Sequence, residues 1–188
     1  MTTSSSAATG RDAAGTGWAE VCDYCGCNGV EPIRELMDEH EALMDEAHHV
    51  REALGQADPT LALSLLERLV GHLGRHVRRE EAGIFRALRD KGEFLEELSD
   101  LETEHRQFDA TISTLHAGTP DLAVRVTKLL DDLGEHVERE DLGIFPISVV
   151  TLGMVGWQAV EDARAESPSF LLDTHAPTAV AVPVIAPA

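Results

Sequence analysis

His76-Val77-Arg78-Arg79-Glu80-Glu81-Ala82-Gly83-Ile84-Phe85 recurs, 60 residues later, as His136-Val137-Glu138-Arg139-Glu140-Asp141-Leu142-Gly143-Ile144-Phe145. Each copy sets a His four residues before a Glu. On an α-helix four residues turn through roughly 400°, so the two side chains stand one turn apart on nearly one line. One such pair is common on solvated helix faces. Two pairs in matching surroundings point to a shared metal site.

Working outward, apolar residues fall at three-and-four spacing over four stretches, each predicting an amphipathic helix. The first follows Glu31-Pro32 and runs to about Leu54, with His40 inside its apolar stripe and Gly55 as its stop. Asp58-Pro59 opens the second, whose stripe is Leu61, Leu65, Leu66, Leu69, Leu73, His76, Glu80 and Ile84. The third follows Gly92, carries Leu98, Leu101, His105 and Phe108, and ends near Gly118. Thr119-Pro120 starts the fourth, lined by Leu122, Val126, Leu129, Leu133, His136 and Glu140 and ended or kinked at Pro146. A shorter helix, from about Ile147 to Ala165 and including Trp157, is expected to cover one end.

The expected fold is therefore all-α: an antiparallel up-and-down four-helix bundle with a short additional C-terminal helix. Glu39-His40 corresponds to Glu104-His105 as His76-xxx-Glu80 does to His136-xxx-Glu140, so the bundle should have approximate two-fold internal symmetry. We expect residues 1–17 to be a flexible arm, 18–29 a cysteine-containing loop, 30–166 the bundle with its end helix, and 167–188 a loose tail.

Composition narrows the function. The 188 residues hold 15 Lys and Arg against 34 Asp and Glu, a formal charge of −19. Such a surface repels phosphate backbones and anionic lipid, which argues against nucleic acid and membrane as partners. No uninterrupted apolar run reaches spanning length and the N-terminus lacks the pattern of a signal peptide, so the expected location is cytoplasmic.

Four His and two Glu thus share the inward faces. Burying two carboxylates without partners is very costly, and a metal pair gives them a reason to be there. If Glu80 and Glu140 each bridge two metals and each metal takes two His, every metal has four protein donors. An oxo or hydroxo bridge makes five and leaves about one open position per metal. Imidazole and carboxylate donors with open positions suit two iron ions, and manganese or a mixed iron–manganese pair fits the same donors.

These residues, with Gly-Ile-Phe-Pro after the second pair and Trp157 beyond, resemble the hemerythrin-like or HHE cation-binding domains over roughly Pro32 to Trp157. The resemblance implies that His40, His76, Glu80, His105, His136 and Glu140 are the metal ligands. Two departures stand out. The oxygen-carrying members have a second His one turn after that of the third helix, where this chain has Asp109. They also use an Asp five residues after the last His, which would be Asp141. Five residues turn through roughly 500°, away from the line of His136, so Glu140 is the expected ligand. With only four His, reaction with a small molecule is favoured over simple carriage.

Asp109 and His72 are the candidate catalytic residues. Asp109, one turn after His105, reads as a further ligand, a proton relay, a partner to a ligand His, or a solvated Asp; His72, one turn before His76, reads as a core-edge His with a hydrogen-bond partner or as an additional ligand. His48 and His49 are expected to be exposed. Cys22, Cys25 and Cys27 are candidate redox thiols, alternatively ligands of a soft metal or plain reduced thiols. Asp23-Tyr24-Cys25-Gly26-Cys27 resembles the cysteine-bearing N-terminal part of the di-iron proteins that repair iron–sulfur clusters, though without their adjacent cysteines and separate small domain.

The expected function is a non-haem di-iron oxidoreductase that binds and reacts with O2, peroxide or nitric oxide. A small organic substrate and an electron-donor protein are its expected partners. The competing class is a binding protein without turnover, for reversible O2 binding, iron storage or gas and redox sensing.

Overall fold

The computed structural model describes residues 29–173, and Cys22, Cys25, Cys27 and the expected N-terminal arm and loop lie outside them. The described residues are helical throughout, without a strand, and none of their helices is long and apolar enough to cross a membrane. Helix α1 spans Glu31–Gly55, with Pro32 in its first turn, where a missing N–H costs nothing. It ends at the expected stop, Gly55, and the left-handed position that follows falls at Ala57 (φ 57°). The Asp58 carboxylate then accepts from the Leu61 N–H at 2.9 Å and caps α2, Pro59–Glu80. Leu61, expected on the inward face, is exposed in that open first turn.

After Glu80 the helix widens. Glu81–Phe85 is a π turn, with hydrogen bonds one residue longer than in an α-helix, and the helix resumes as α3, Arg86–Asp90. The same happens in the second copy, where α5, Leu122–Arg139, passes through the π turn Glu140–Ile144 into α6, Phe145–Thr151. Pro146, read from the sequence as an end or a kink, does not end this helix. It sits in the first turn of α6, immediately after the π turn, where a missing N–H is best tolerated. Between the two copies lies α4, Leu95–Ile112, shorter than the expected run to Gly118; α5 begins at Leu122, after Asp121 in the left-handed region (φ 54°), not at Thr119-Pro120.

The single end helix expected over 147–165 is two helices. Gly153 (φ 61°) breaks it after Leu152, and α7 spans Gly153–Glu166. Of the expected tail, 167–188, only residues up to 173 are described. Phe170 heads a short 3-10 turn and is buried, stacking on His72 with ring centroids 4.5 Å apart.

The apolar core is in two parts. One contains Leu43, Ala47 and Val50 of α1, Leu66, Leu69 and Leu73 of α2, Phe108 of α4 and Leu129, Leu130 and Leu133 of α5. The other contains Ile33 and Leu36 of α1, Ile84 and Phe85 after α2, Leu98 and Leu101 of α4, and Ile144 and Phe145 after α5. On α1 and α4 the chain passes from the second cluster to the first; on α2 and α5, from the first to the second. On each of the four, the buried His lies between them.

Candidate metal centre

Helices α1 and α4 each deliver one His to the gap between the apolar clusters; α2 and α5 each deliver a His and, one turn on, a Glu at the mouth of the π turn. His40, His76, Glu80, His105, His136 and Glu140 are all buried. His40 Nε2 lies 3.3 Å from Glu140 Oε2 and 3.6 Å from Glu80 Oε1, and His76 Nε2 lies 3.1 Å from Glu80 Oε1. In the other half, His136 Nε2 lies 3.2 Å from Glu140 Oε1, and His105 Nε2 lies 3.9 Å from both carboxylates. His40, His76, Glu80 and Glu140 offer donor atoms within 4.8 Å of one another, and so do His105, His136 and Glu140.

Two observations test whether a metal fits. Both carboxylate oxygens of Glu80, both of Glu140, His40 Nε2 and His76 Nε2 are buried and make no hydrogen bond. Native interiors seldom leave so many polar atoms unsatisfied in one place, because each costs free energy. The other two imidazoles meet Nε2 to Nε2 at 2.9 Å, a contact that needs a shared proton or a cation. Four buried residues with unbonded imidazole and carboxylate atoms, facing a pair of imidazoles in contact through Nε2, fit cations held between them.

The outer nitrogens show why Nε2 faces inward. His40 Nδ1 donates to Asp141 at 2.8 Å, His76 Nδ1 to Glu39 at 2.7 Å, His105 Nδ1 to Glu81 at 2.9 Å, and His136 Nδ1 to Glu104 at 2.8 Å. A carboxylate on each Nδ1 fixes the tautomer and leaves the Nε2 lone pair for a metal. The pattern follows the repeat. The residue before each single His (Glu39, Glu104) serves the His of the next repeat stretch, and the residue after each Glu (Glu81, Asp141) serves the single His of the other half. Phe85 and Phe145, at the ends of the repeats, stack on His105 and His40 at 6.0 and 5.4 Å. Arg79 and Arg139, at matching positions, pair with Glu39 and Glu104.

Charge matches this arrangement. Burial works against a charged His40, but Asp141, Glu140 and Glu80 hold its imidazole well above the usual histidine range. His76 and His136 are raised too, despite burial, chiefly by the charges of Glu80 and Glu140 respectively. Burial pushes the Glu80 carboxyl up, yet His76 and His40 hold it well below the usual carboxylate range. Without metal, the charged forms of His40, His76 and His136 are thus favoured beside the two carboxylates.

The remaining sequence candidates lie elsewhere. Asp141 faces His40 Nδ1 and belongs to neither donor group. His72 Nδ1 is bonded to Glu46 at 3.0 Å and its ring stacks on Phe170, while Asp109 is exposed. His48 and His49 are exposed. Sequence reasoning noticed Glu39 and Glu104 only as markers of symmetry and passed over Glu81. Their signal was adjacency: each acidic residue stands next to a donor residue, and the halves repeat it.

Compared with known families, residues 31–148, well over half of the chain, match the hemerythrin HHE cation binding domain. No curated protein and no solved structure gives a significant match. With the ring of buried His and Glu lying inside the matched region, the chain belongs to the hemerythrin HHE cation-binding domain family.

Proposed function

We propose that this chain is a non-haem di-iron protein that binds and reacts with O2, peroxide or nitric oxide, as a redox enzyme. The observation that carries the reading is the set of buried, unbonded donor atoms on Glu80, Glu140, His40 and His76 facing the His105–His136 pair. In this reading α1, α2, α4 and α5 form an antiparallel up-and-down bundle, supported by their alternating passage between the two apolar clusters. His40, His76, His105, His136, Glu80 and Glu140 would hold the irons. Iron held there supplies one- and two-electron chemistry toward small oxidants.

The chain's own part is to position and to hold protons. The four Nδ1 protons stay on the imidazoles, donated in hydrogen bonds to Asp141, Glu39, Glu81 and Glu104, which keeps each ring in the donor tautomer and raises its basicity. Phe85, Phe145 and the flanking Leu and Ile side chains keep bulk water out. Only two His per half leaves the donor set short of saturating either iron, which favours reaction over simple carriage. A location in the cytoplasm and an electron-donor protein, with the segment of Cys22, Cys25 and Cys27 as a source of reducing thiols, complete the proposal.

The test is anaerobic reduction of the iron-loaded protein, followed by separate additions of O2, peroxide and nitric oxide, watched optically. Irreversible oxidation with turnover is expected. A spectrum that returns under vacuum over many cycles would instead assign the chain to binding without turnover.

A further inference from the structure

The two halves of the site share a motif but differ in cover. Around His76, Glu39 and Arg79 are sealed, with side chains 0% and 4% exposed, and Arg79 is backed by Glu35, which Arg164 of α7 also holds. Around His136, the matching Glu104 and Arg139 are 31% and 49% exposed. Beside them a cleft of about 480 Å³ runs between α4 and α5, and His136 itself lines it. Its floor includes Phe108 and Leu129; its walls include Arg125, Lys128, Asp132 and Glu135. The formal charges of these walls, with Glu104 and Arg139, cancel, in a chain of net charge −19.

We propose that this α4–α5 cleft is the route by which small polar reactants reach the centre, arriving at the His105–His136 half, with the Glu104–Arg139 ion pair as its inner wall. The proposal rests on the metal-site reading for its destination, and on the cleft alone for the route. Three features carry it. The cleft is lined by a buried donor His; the matching position in the other half, at His72 and Glu46, is covered by Phe170, with Glu35 and Arg164 behind Arg79; and the lining combines apolar floor with balanced charge, which neither repels a small anion nor traps it. The volume exceeds what a diatomic needs, so a small organic molecule is admitted as well.

Two arms test it. In metal-free full-length protein, carbethoxylation mapped by peptide mass spectrometry reads access to each His without any metal. His136 is expected to react faster than His76, and Thr111→Trp, which fills the cleft, to suppress the difference. Equal rates, or His76 ahead, overturn the route whether or not iron binds. In iron-loaded protein, azide is the probe. Thr111→Trp should slow azide association at least about tenfold while leaving iron stoichiometry and the final spectrum unchanged. Gln107→Trp, at an exposed lining position, serves if Thr111→Trp does not fold. His48→Trp, in the separate groove between α1 and α5, should change nothing. Parental association rates in both cleft variants overturn the proposal. Failure of the parent to take up iron would instead sink the di-iron reading and leave the first arm to decide the route.

Discussion

At the scale of single residues, the separation of Glu140 from its neighbour Asp141 is the sharpest point. Adjacent residues on a helix diverge by about 100°, so the two carboxylates cannot do the same work. Glu140 turns its unbonded oxygens to the centre, and Asp141 accepts a hydrogen bond from His40 Nδ1. Glu140→Ala should therefore lose at least one iron per chain by metal analysis. Asp141→Asn should keep both and weaken affinity about 10–100-fold, as removal of a carboxylate behind a ligand His commonly does. His76→Ala should lose iron and alter the optical spectrum; two retained irons with an unaltered spectrum would show that the ligand set is misassigned. That these six His and Glu side chains share the interior was legible in the sequence, because they occupy positions that packing reserves for Leu or Ile. The residues behind them were not. Glu39, Glu81 and Glu104 lie beside buried positions on helix faces rich in acidic residues, and only the folded structure, through their distances to Nδ1 and the burial of Glu39, separates them from ordinary solvated carboxylates.

At the scale of elements, the π turns decide where the helices go after the donors. Periodicity in the sequence predicts helices, caps and approximate ends, because apolar spacing and Asp-Pro or Gly signals act locally. It does not reveal a turn with one extra residue, since the apolar pattern resumes in shifted register after Glu81–Phe85 and Glu140–Ile144. Pro146 thus reads as an end or a kink when it sits in the first turn of α6, and the sequence predicts a single end helix where Gly153 divides two. The π turns place Phe85 and Phe145 fully inside, against His105 and His40. Phe145→Ala should cost about 3–5 kcal/mol in denaturant unfolding, the usual range for a buried Phe. Because it removes the stacking surface of His40, iron affinity should fall as well. Val150→Ala, at an exposed site on the same helix, should change neither.

For the whole molecule, the electrostatics of the centre set how stability depends on pH. The folded-state values of His40, His76 and His136 are raised above 6.5. Their stabilisation of the metal-free protein is therefore complete below about 6.5 and is lost as pH rises through the folded values. Glu80 and Glu140 are lowered from 4.5, so their contribution is present above about 4.5 and is lost as pH falls through their folded values. Metal-free protein should thus be most stable between about pH 4.5 and 6.5 and lose several degrees of Tm toward pH 9. In iron-loaded protein the neutral rings have cations to meet, and the loss on the alkaline side should largely disappear; parallel Tm curves for the two forms would contradict this account. The central claim, that the repeat builds one site for two metals, is tested most directly by anaerobic iron titration of metal-free protein, read as iron bound per chain. The account predicts two irons for the parent chain and none held tightly by Glu80→Ala/Glu140→Ala. Fewer than two in the parent, or two in the double variant, would contradict it.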